Sequence, residues 1–221
     1  MNTGLSANRP NIFLFKGVTV RNDSVWEPGR EWRPIPAEEF LADRNEGEFI
    51  VDDQDPGFEL VDGNLTWLQK WFQKAPEVRD FYEGETSRWV PVVTIEAEGD
   101  SIQGCHCISG GRGKSTATWR VNLPEAGRYR VMGKVYRQSL VPGPGRPGGV
   151  VYYYTVFHGD KPEKVEVNLD AFLWGNPSGW ASLGEYDFPA GEAKVVLSDK
   201  EVQRRKDVAI VADAVKWIKI E

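Results

Sequence analysis

The chain has 221 residues, 40% of them hydrophobic, so it can bury one substantial core and a small second element. Its formal net charge is −6, and because no run of about 18 apolar residues occurs, we expect no membrane-spanning helix. Nine Trp, seven Tyr and ten Phe accompany 23 Gly and 14 Pro, a composition typical of an all-β protein with many tight turns.

The charge is spread unevenly along the chain. Residues 1–100 carry 10 basic and 20 acidic side chains, whereas residues 101–150 carry 8 basic side chains and a single acid, Glu125. This basic segment either faces an anionic ligand or pairs with the acidic first part of the chain, and the pattern leaves both open. Because the whole chain is acidic and has no recognisable nucleic-acid motif, we expect no nucleic-acid partner.

Residues 1–47 read as an N-terminal extension or as the tail of a preceding domain. They contain one strand-like run over residues 12–20 and a short helix predicted from Pro36, where a proline precedes two acids. The first residues lack the basic start and apolar centre of a signal peptide. The sequence therefore fits a cytosolic protein or a piece of a longer secreted one, and we favour an extracellular, periplasmic or cell-surface location.

From Glu48 the pattern changes to that of a folded domain. The sequence EFIVDDQDPGFEL predicts two short extended pieces around an acidic turn. Residues 66–81 form an amphipathic stretch with four apolar side chains on one side: Trp67, Leu68, Trp71 and Phe72. This stretch predicts either a helix or an aromatic loop over the core.

Alternating apolar and polar residues then predict strands in series. Residues 115–137 read as two adjacent strands around the turn PEAG, with Arg120, Arg130 and Lys134 on their outward face. Residues 150–170 predict a hairpin that turns near Gly159 and Asp160, residues 181–199 predict two more strands, and residues 207–221 predict a closing strand. About eight or nine short strands with polar turns indicate an all-β domain over residues 48–221, an antiparallel β-sandwich of jelly-roll type.

The sequence offers no catalytic constellation. Neither G-x-S-x-G nor H-E-x-x-H occurs, and GGRGKS (residues 110–115) lacks the spacing of a phosphate-binding loop and precedes a strand. The acid pairs Asp52/Asp53 and Glu96/Glu98 are more typical of solvated or ion-binding acids than of a glycosidase pair. Cys105 and Cys107 stand two apart, a spacing that favours free thiols.

One acid, Asp213, interrupts the apolar run of the closing strand. Strand alternation places it with Val211, Val215 and Trp217 on the face that we expect to be buried. A buried carboxylate must be hydrogen-bonded, ion-paired or bound to a metal. We expect backbone N–H groups or an arginine to hold it.

Several of these segments, in this order, resemble the golvesin C-terminal domain, also called the xanthan-lyase carbohydrate-binding-like domain. The segments are IVDDQDPGF, TATWRVNLPEAGRYRV, YYTVFHGDKPEKVEVNL, GWASLGEYDFPAGEAKVVLSD and VAIVADAVKWIKI. The resemblance covers about residues 48–221, apart from inserts around residues 67–87 and 140–149. It implies a sandwich fold and an accessory role beside another domain.

A weaker resemblance is to family 6 and family 35 carbohydrate-binding modules. It is carried by EAE (residues 96–98), Gly110-Gly111, Leu123-Pro124 and the late Asp213. In those modules the early acids and the late aspartate often hold a structural calcium ion. The resemblance therefore implies a possible calcium site at Glu96, Glu98 and Asp213, whose hard oxygen ligands suit that ion.

Glycan binding would need exposed aromatic rings with amides and charges nearby. The candidates are Trp174, Asn176 and Trp180 in the segment AFLWGNPSGWAS, together with Tyr153. Arg120, Arg130 and Lys134 either contact uronate or sulfated sugars or form salt bridges with nearby acids.

We therefore expect a non-catalytic accessory module of a bacterial protein, which binds a polysaccharide or supports a neighbouring domain of the same chain. The alternative is a structural or protein-interaction domain without a sugar site, and the third hypothesis is a polysaccharide lyase or hydrolase in its own right.

Overall fold

The computed structural model describes residues 12–15, 18–21, 47–72, 86–93, 97–98, 104–135, 149–169, 179–201 and 208–220. The chain divides into two compact units, Met1–Glu46 with Asp100–Ile102 and Gly47–Gly99 with Gln103–Glu221.

The described residues of the first unit form an antiparallel hairpin. Its strands are β1 (Ile12–Phe15) and β2 (Val18–Arg21). The run over residues 12–20, predicted as one strand, is therefore two, because Lys16 and Gly17 interrupt its apolar sequence. The helix predicted from Pro36 lies outside the described residues.

The described part of the second unit contains twelve strands and one short helix. In chain order they are β3 (Glu48–Val51), β4 (Phe58–Val61), α1 (Trp67–Trp71), β5 (Val90–Val93), β6 (Gly104–Ser109), β7 (Thr116–Leu123), β8 (Gly127–Lys134), β9 (Val151–His158), β10 (Lys161–Asn168), β11 (Trp180–Phe188), β12 (Gly191–Ser198), β13 (Ala209–Ala212) and β14 (Val215–Lys219).

All pairings between these strands are antiparallel. The strand orders are β10-β9-β12-β7-β4 in a five-stranded sheet, β11-β8-β14-β3 in a four-stranded sheet and β13-β6-β5 in a three-stranded sheet. The predicted all-β, antiparallel sandwich of jelly-roll type is confirmed. The β9–β10 hairpin turns at Gly159 and Asp160 as expected, with Gly159 in the left-handed region at φ 65°. Among the described residues, no helix is long and apolar enough to cross a membrane.

The core lies against the inner face of the five-stranded sheet. Aromatic side chains on this face form hydrogen bonds with residues outside the sheet. Tyr152 and Tyr154 on β9 are buried, whereas Tyr153 between them faces outward, as the period of two requires. The Tyr152 hydroxyl donates to Ala209 O (3.0 Å) and accepts from Val211 N (3.1 Å), both on β13. These bonds tie the five-stranded sheet to the three-stranded one.

Strands β7 and β8 belong to different sheets, although a short turn joins them. β7 pairs with β12 and β4, and β8 pairs with β11 and β14. The expectation that they are adjacent was wrong, because a turn and an alternating pattern define two strands without deciding whether they pair. Arg120 therefore lies in a different sheet from Arg130 and Lys134, and the three do not form one stripe.

The closing segment, predicted as one strand, consists of β13 and β14. Asp213 and Ala214 separate them and carry the chain from the three-stranded to the four-stranded sheet. The predicted burial of Asp213 is confirmed, since this residue is only 1% exposed, but its neighbours Ala212 and Ala214 are buried as well, so the expected alternation does not hold here. Its carbonyl oxygen accepts a hydrogen bond from Trp119 Nε1 at 2.8 Å, which anchors the crossing to β7.

Candidate functional site

Three loops of the sandwich meet around one buried carboxylate, that of Asp199. Its Oδ2 accepts from Asn64 Nδ2 at 2.7 Å, and its Oδ1 accepts from Ser115 N at 3.3 Å. The Ser115 hydroxyl oxygen in turn accepts from Gly63 N (3.1 Å) and from Asn64 Nδ2 (3.0 Å). We call these four residues the Asp199 network. It fixes the loop after β4, the loop before β7 and the loop after β12 relative to one another.

Two glycines allow these loops to approach so closely. A Cβ atom on Gly63 would lie 1.9 Å from the carbonyl oxygen of Lys114, and one on Gly111 would lie 2.3 Å from Asp199 Oδ2. Any larger residue at either position would force the loops apart. In the frame around Asp199, Gly63 is therefore packed against backbone, and Gly111 against the side chain of Asp199.

Helix α1 follows this frame directly and carries the most exposed apolar side chains of the described residues. Trp67, Trp71 and Phe72 are 74%, 78% and 77% exposed, and Leu68 is 49% exposed. We call these four residues the aromatic surface. Of the stretch 66–81, predicted as a helix or an aromatic loop, the structure shows a short helix at Trp67–Trp71, and residues 73–81 lie outside the described residues. The apolar side chains of this helix do not cover the core. A domain in water rarely leaves such a group of side chains exposed unless a partner covers it.

Trp180, a predicted sugar platform, is buried. It is 8% exposed, and the ammonium groups of Lys216 and Lys134 lie 4.4 and 5.2 Å from its ring centroid. Its ring is therefore not open for stacking in this structure. Trp174 and Asn176 lie outside the described residues, so their role stays a prediction.

Tyr153 faces outward on β9 and is half-buried. The Lys200 ammonium lies 4.0 Å over its ring, and burial raises the pKa of its hydroxyl. A cation, rather than open solvent, therefore faces this ring.

The three cations predicted to contact acidic sugars all have acidic partners within the domain. The pairs are Arg120 with Glu59, Arg130 with Glu185 and Lys134 with Glu98, each at 2.8 Å. Of the two alternatives that the sequence left open for these cations, the structure shows the salt bridges.

Asp213 is held by a backbone donor, as predicted. Its Oδ2 accepts from Glu98 N at 3.1 Å. The Glu98 carboxylate forms a salt bridge with Lys134, whose Nζ lies 2.8 Å from Glu98 Oε2, and the calcium site that the resemblance implies stays a prediction. Among the described residues, no group of three His, Cys, Asp or Glu side chains could hold a metal ion. Glu96 lies outside them, so its part in a calcium site stays a prediction.

A chelator experiment tests calcium binding. Since a ligand bound only to the folded state raises stability, by about 2.7 kcal/mol at 100 times its Kd, a bound calcium ion would appear as a higher melting temperature. With Glu98 engaged by Lys134, we expect EDTA and added Ca²⁺ to leave the melting temperature unchanged. A fall in EDTA that Ca²⁺ reverses would show that the site exists.

Two further acids, Asp52 and Asp53, are buried where β3 ends. They are 9% and 7% exposed, and the Oδ1 atom of each accepts no hydrogen bond from the described residues. Asp53 Oδ2 lies 2.8 Å from His106 Nδ1. Burial, together with the charges of Asp53 and Asp213, raises the pKa of Asp52 to about 9.

The sequence pattern missed this burial. Acids beside a turn usually face water, so the pattern gave no sign that Asp52 and Asp53 are buried. Cys105 and Cys107 are free thiols as predicted, both buried on β6 with their sulfur atoms 3.8 Å apart.

Comparisons with known proteins agree with this fold. Residues 84–219 match the model of the golvesin C-terminal domain. Among solved structures, the chain is similar to a xanthan lyase from Paenibacillus at 20% identity and a TM-score of 0.52, over 79% of this chain and 13% of that chain. This chain therefore spans only a small part of the lyase.

Two smaller neighbours are carbohydrate-binding modules. The chain is similar to a family 35 module from Clostridium thermocellum at 12% identity and a TM-score of 0.44, over 77% of this chain and 98% of that chain. It is also similar to the CBM35 of Abf62 from Cellvibrio japonicus, at 12% identity and a TM-score of 0.36, over 79% of this chain and 94% of that chain. No curated protein matches the chain.

Proposed function

The chain belongs to the golvesin C-terminal domain family, and from this premise we propose that it is a non-catalytic accessory module that binds polysaccharide through the aromatic surface on α1. The observation that carries the proposal is the exposure of Trp67 and Trp71, 74% and 78%, on a helix that follows a rigid frame.

The chemistry of the aromatic surface suits a sugar polymer. One face of a pyranose ring presents C–H groups that stack on a flat indole, while the hydroxyl groups at its rim stay in water. Trp67 and Trp71 stand one helical turn apart, so successive sugars of one extended chain can reach them in turn. Because the Asp199 network holds the loop before α1, little ordering of that loop is required when a ligand binds.

One structural neighbour supports this class of ligand. It is named as a lyase of xanthan, and the matched part is a small fraction of its chain. We infer that the present protein likewise forms part of a longer chain, as an accessory module beside a catalytic part and outside the cytoplasm, where such polymers occur.

The alternative is a structural or protein-interaction domain, and it is favoured by the covered ring of Trp180 and by the salt bridges of Arg120, Arg130 and Lys134. An exposed apolar surface would also fit a neighbouring protein. We favour the polysaccharide because three of the four side chains of the aromatic surface are aromatic rings.

Affinity electrophoresis in gels that contain single polysaccharides tests the proposal. We expect the protein to be retarded by at least one of hydroxyethyl cellulose, xanthan, polygalacturonate or alginate. The variant Trp67→Ala/Trp71→Ala should bind at least about tenfold more weakly, because two stacking contacts are lost.

The matched control is Val61→Ala/Val93→Ala, which truncates two other exposed apolar side chains, each 40% exposed. It should bind like the unmodified protein, and all three proteins should melt at similar temperatures because the altered side chains are exposed. Unchanged mobility of the unmodified protein in every gel would overturn the proposal and leave the protein-interaction alternative.

A further inference from the structure

The segment GGRGKS between β6 and β7 carries two exposed cations that the proposed function does not use. Arg112 and Lys114 alternate with Gly111 and Gly113, and both side chains are exposed. The segment is not a phosphate loop, because β7 follows it instead of a helix. Its backbone is fixed nonetheless, since Gly111 N donates to the carbonyl oxygen of Asp199 at 2.6 Å.

A third cation, Lys200, joins them from the loop after β12. Gly111 and Lys200 form a parallel bridge, and a Cβ on Gly113 would lie 3.5 Å from Lys200 Cβ. The ammonium group of Lys200 is held 4.0 Å over the ring of Tyr153. Three positive side chains therefore start from adjoining backbone at one end of the sandwich.

These cations differ from the others on the domain in their surroundings. Within the described residues, no carboxylate lies within 4.0 Å of Arg112, Lys114 or Lys200, whereas Arg120, Arg130 and Lys134 each have one. The acids that flank Lys200 in sequence, Asp199 and Glu201, are buried at 0% and 5% exposure, and the Asp199 carboxylate accepts from Asn64 and Ser115. Three exposed cations therefore share this end of the sandwich, in a protein whose net charge is −6.

The aromatic surface lies close to this group. Ser115 follows Lys114 directly and binds Asn64, and only two residues lie between Asn64 and Trp67. The three Cα–Cα steps from Asn64 to Trp67 span at most about 11 Å, so the first residue of α1 lies within the length of a short oligosaccharide from Asn64.

We propose that Arg112, Lys114 and Lys200 bind the carboxylate or sulfate groups of an acidic polysaccharide whose sugar rings stack on α1. This inference rests on the proposed function and names the class of its ligand. The cations supply charge-assisted hydrogen bonds to acidic substituents, while the rings supply contacts that do not depend on charge. A nucleic acid fits less well, because phosphates at every residue would meet the acidic remainder of the surface.

The test uses paired variants on the intact chain. Arg112→Ala/Lys114→Ala removes two of the proposed contacts, and Lys161→Ala/Lys164→Ala removes two exposed cations of β10 as a charge-matched control. Gels contain carboxymethyl cellulose or polygalacturonate as acidic polymers and hydroxyethyl cellulose as a neutral one, each at two salt concentrations. Single-stranded DNA serves as a competing anion.

We expect the acidic polymers to retard the unmodified protein more than the neutral one, with the difference shrinking at high salt. The first double variant should lose about tenfold in affinity for the acidic polymers and keep its affinity for the neutral one, whereas the control should retain both. Equal losses in the two variants, or no loss in the first, would overturn the inference. DNA binding as strong as polymer binding would also overturn it.

Failure of the inference can be told apart from failure of the proposed function. If the neutral polymer retards the protein and Trp67→Ala/Trp71→Ala abolishes this, the proposed function stands even where acidic groups add nothing. If no polymer retards the protein, both fail.

Discussion

Replacement of Asp199 by alanine should lower the free energy of unfolding by about 3 kcal/mol, because Asn64 Nδ2 and Ser115 N lose a buried acceptor together. For a chain of this length the melting temperature should fall by roughly 6–12 °C. The Asp199 network also holds the loop before α1, so polysaccharide binding should weaken in the same variant. Urea unfolding and affinity electrophoresis measure the two effects.

The matched control is Asp187→Ala, which removes an exposed acid of β11. It should change the free energy of unfolding by no more than about 0.5 kcal/mol. Equal effects of the two substitutions would mean that the three loops do not depend on Asp199. Normal binding by a destabilised Asp199→Ala protein would mean that the network supports the fold but not the site.

The second large effect concerns Asp52 and pH. Asp52→Asn should stabilise the protein at pH 8 and have little effect near pH 4. Between these values, the difference in the free energy of unfolding between the variant and the unmodified protein should grow by about 1 kcal/mol per pH unit. The variant removes a carboxyl group that burial, reinforced by Asp53 and Asp213, keeps protonated up to a pKa of about 9. Urea titrations from pH 4 to 8, in buffer with a chelator, measure this.

The direction of this pH dependence follows from which state, folded or unfolded, binds the proton of Asp52. The pKa of Asp52 is about 9 in the folded protein and near 3.8 in the unfolded chain, so the folded state binds the extra proton between these values. Its contribution to stability is fully present below pH 3.8 and is lost as the pH rises through about 9. Asp187→Asn, at an exposed position, should leave the pH dependence unchanged. A constant difference between Asp52→Asn and the unmodified protein at every pH would contradict the assignment.

The period of two in the sequence predicts the buried face of a long strand such as β9, where Tyr152, Tyr154 and Val156 are buried. This prediction succeeds because strand alternation depends on local backbone geometry. Asp213 is different: it lies between β13 and β14 and is buried together with its neighbours Ala212 and Ala214, so alternation does not explain its burial.

Pairing between strands was harder to predict, since it depends on contacts distant in sequence. The turn between Leu123 and Gly127 looks like that of a hairpin, yet the chain crosses there to another sheet and separates Arg120 from Arg130. No local pattern distinguishes these outcomes.

The candidate site was predicted least well. An amphipathic pattern such as that of Trp67 and Trp71 shows that a helix has an apolar side, but not whether its partner belongs to the same molecule. Likewise, cations such as Arg112 and Arg120 look equivalent in sequence, and only the fold shows that Glu59 neutralises one of them. The sequence does not show which side chains keep partners within the domain, because these neighbours are known only from the tertiary structure.

The position of β14 has a consequence for the biogenesis of the domain. This strand pairs with β8 on one side and with β3 on the other, although β3 is synthesised first and β14 last. During translation the edges of β3 and β8 that pair with β14 stay unpaired until β14 has been made. Unpaired strand edges can pair with other chains. Folding that depends on joining the two most distant strands is also slow. We therefore expect the sandwich to form only after β14 has been synthesised, and a bound chaperone would be most useful before that point.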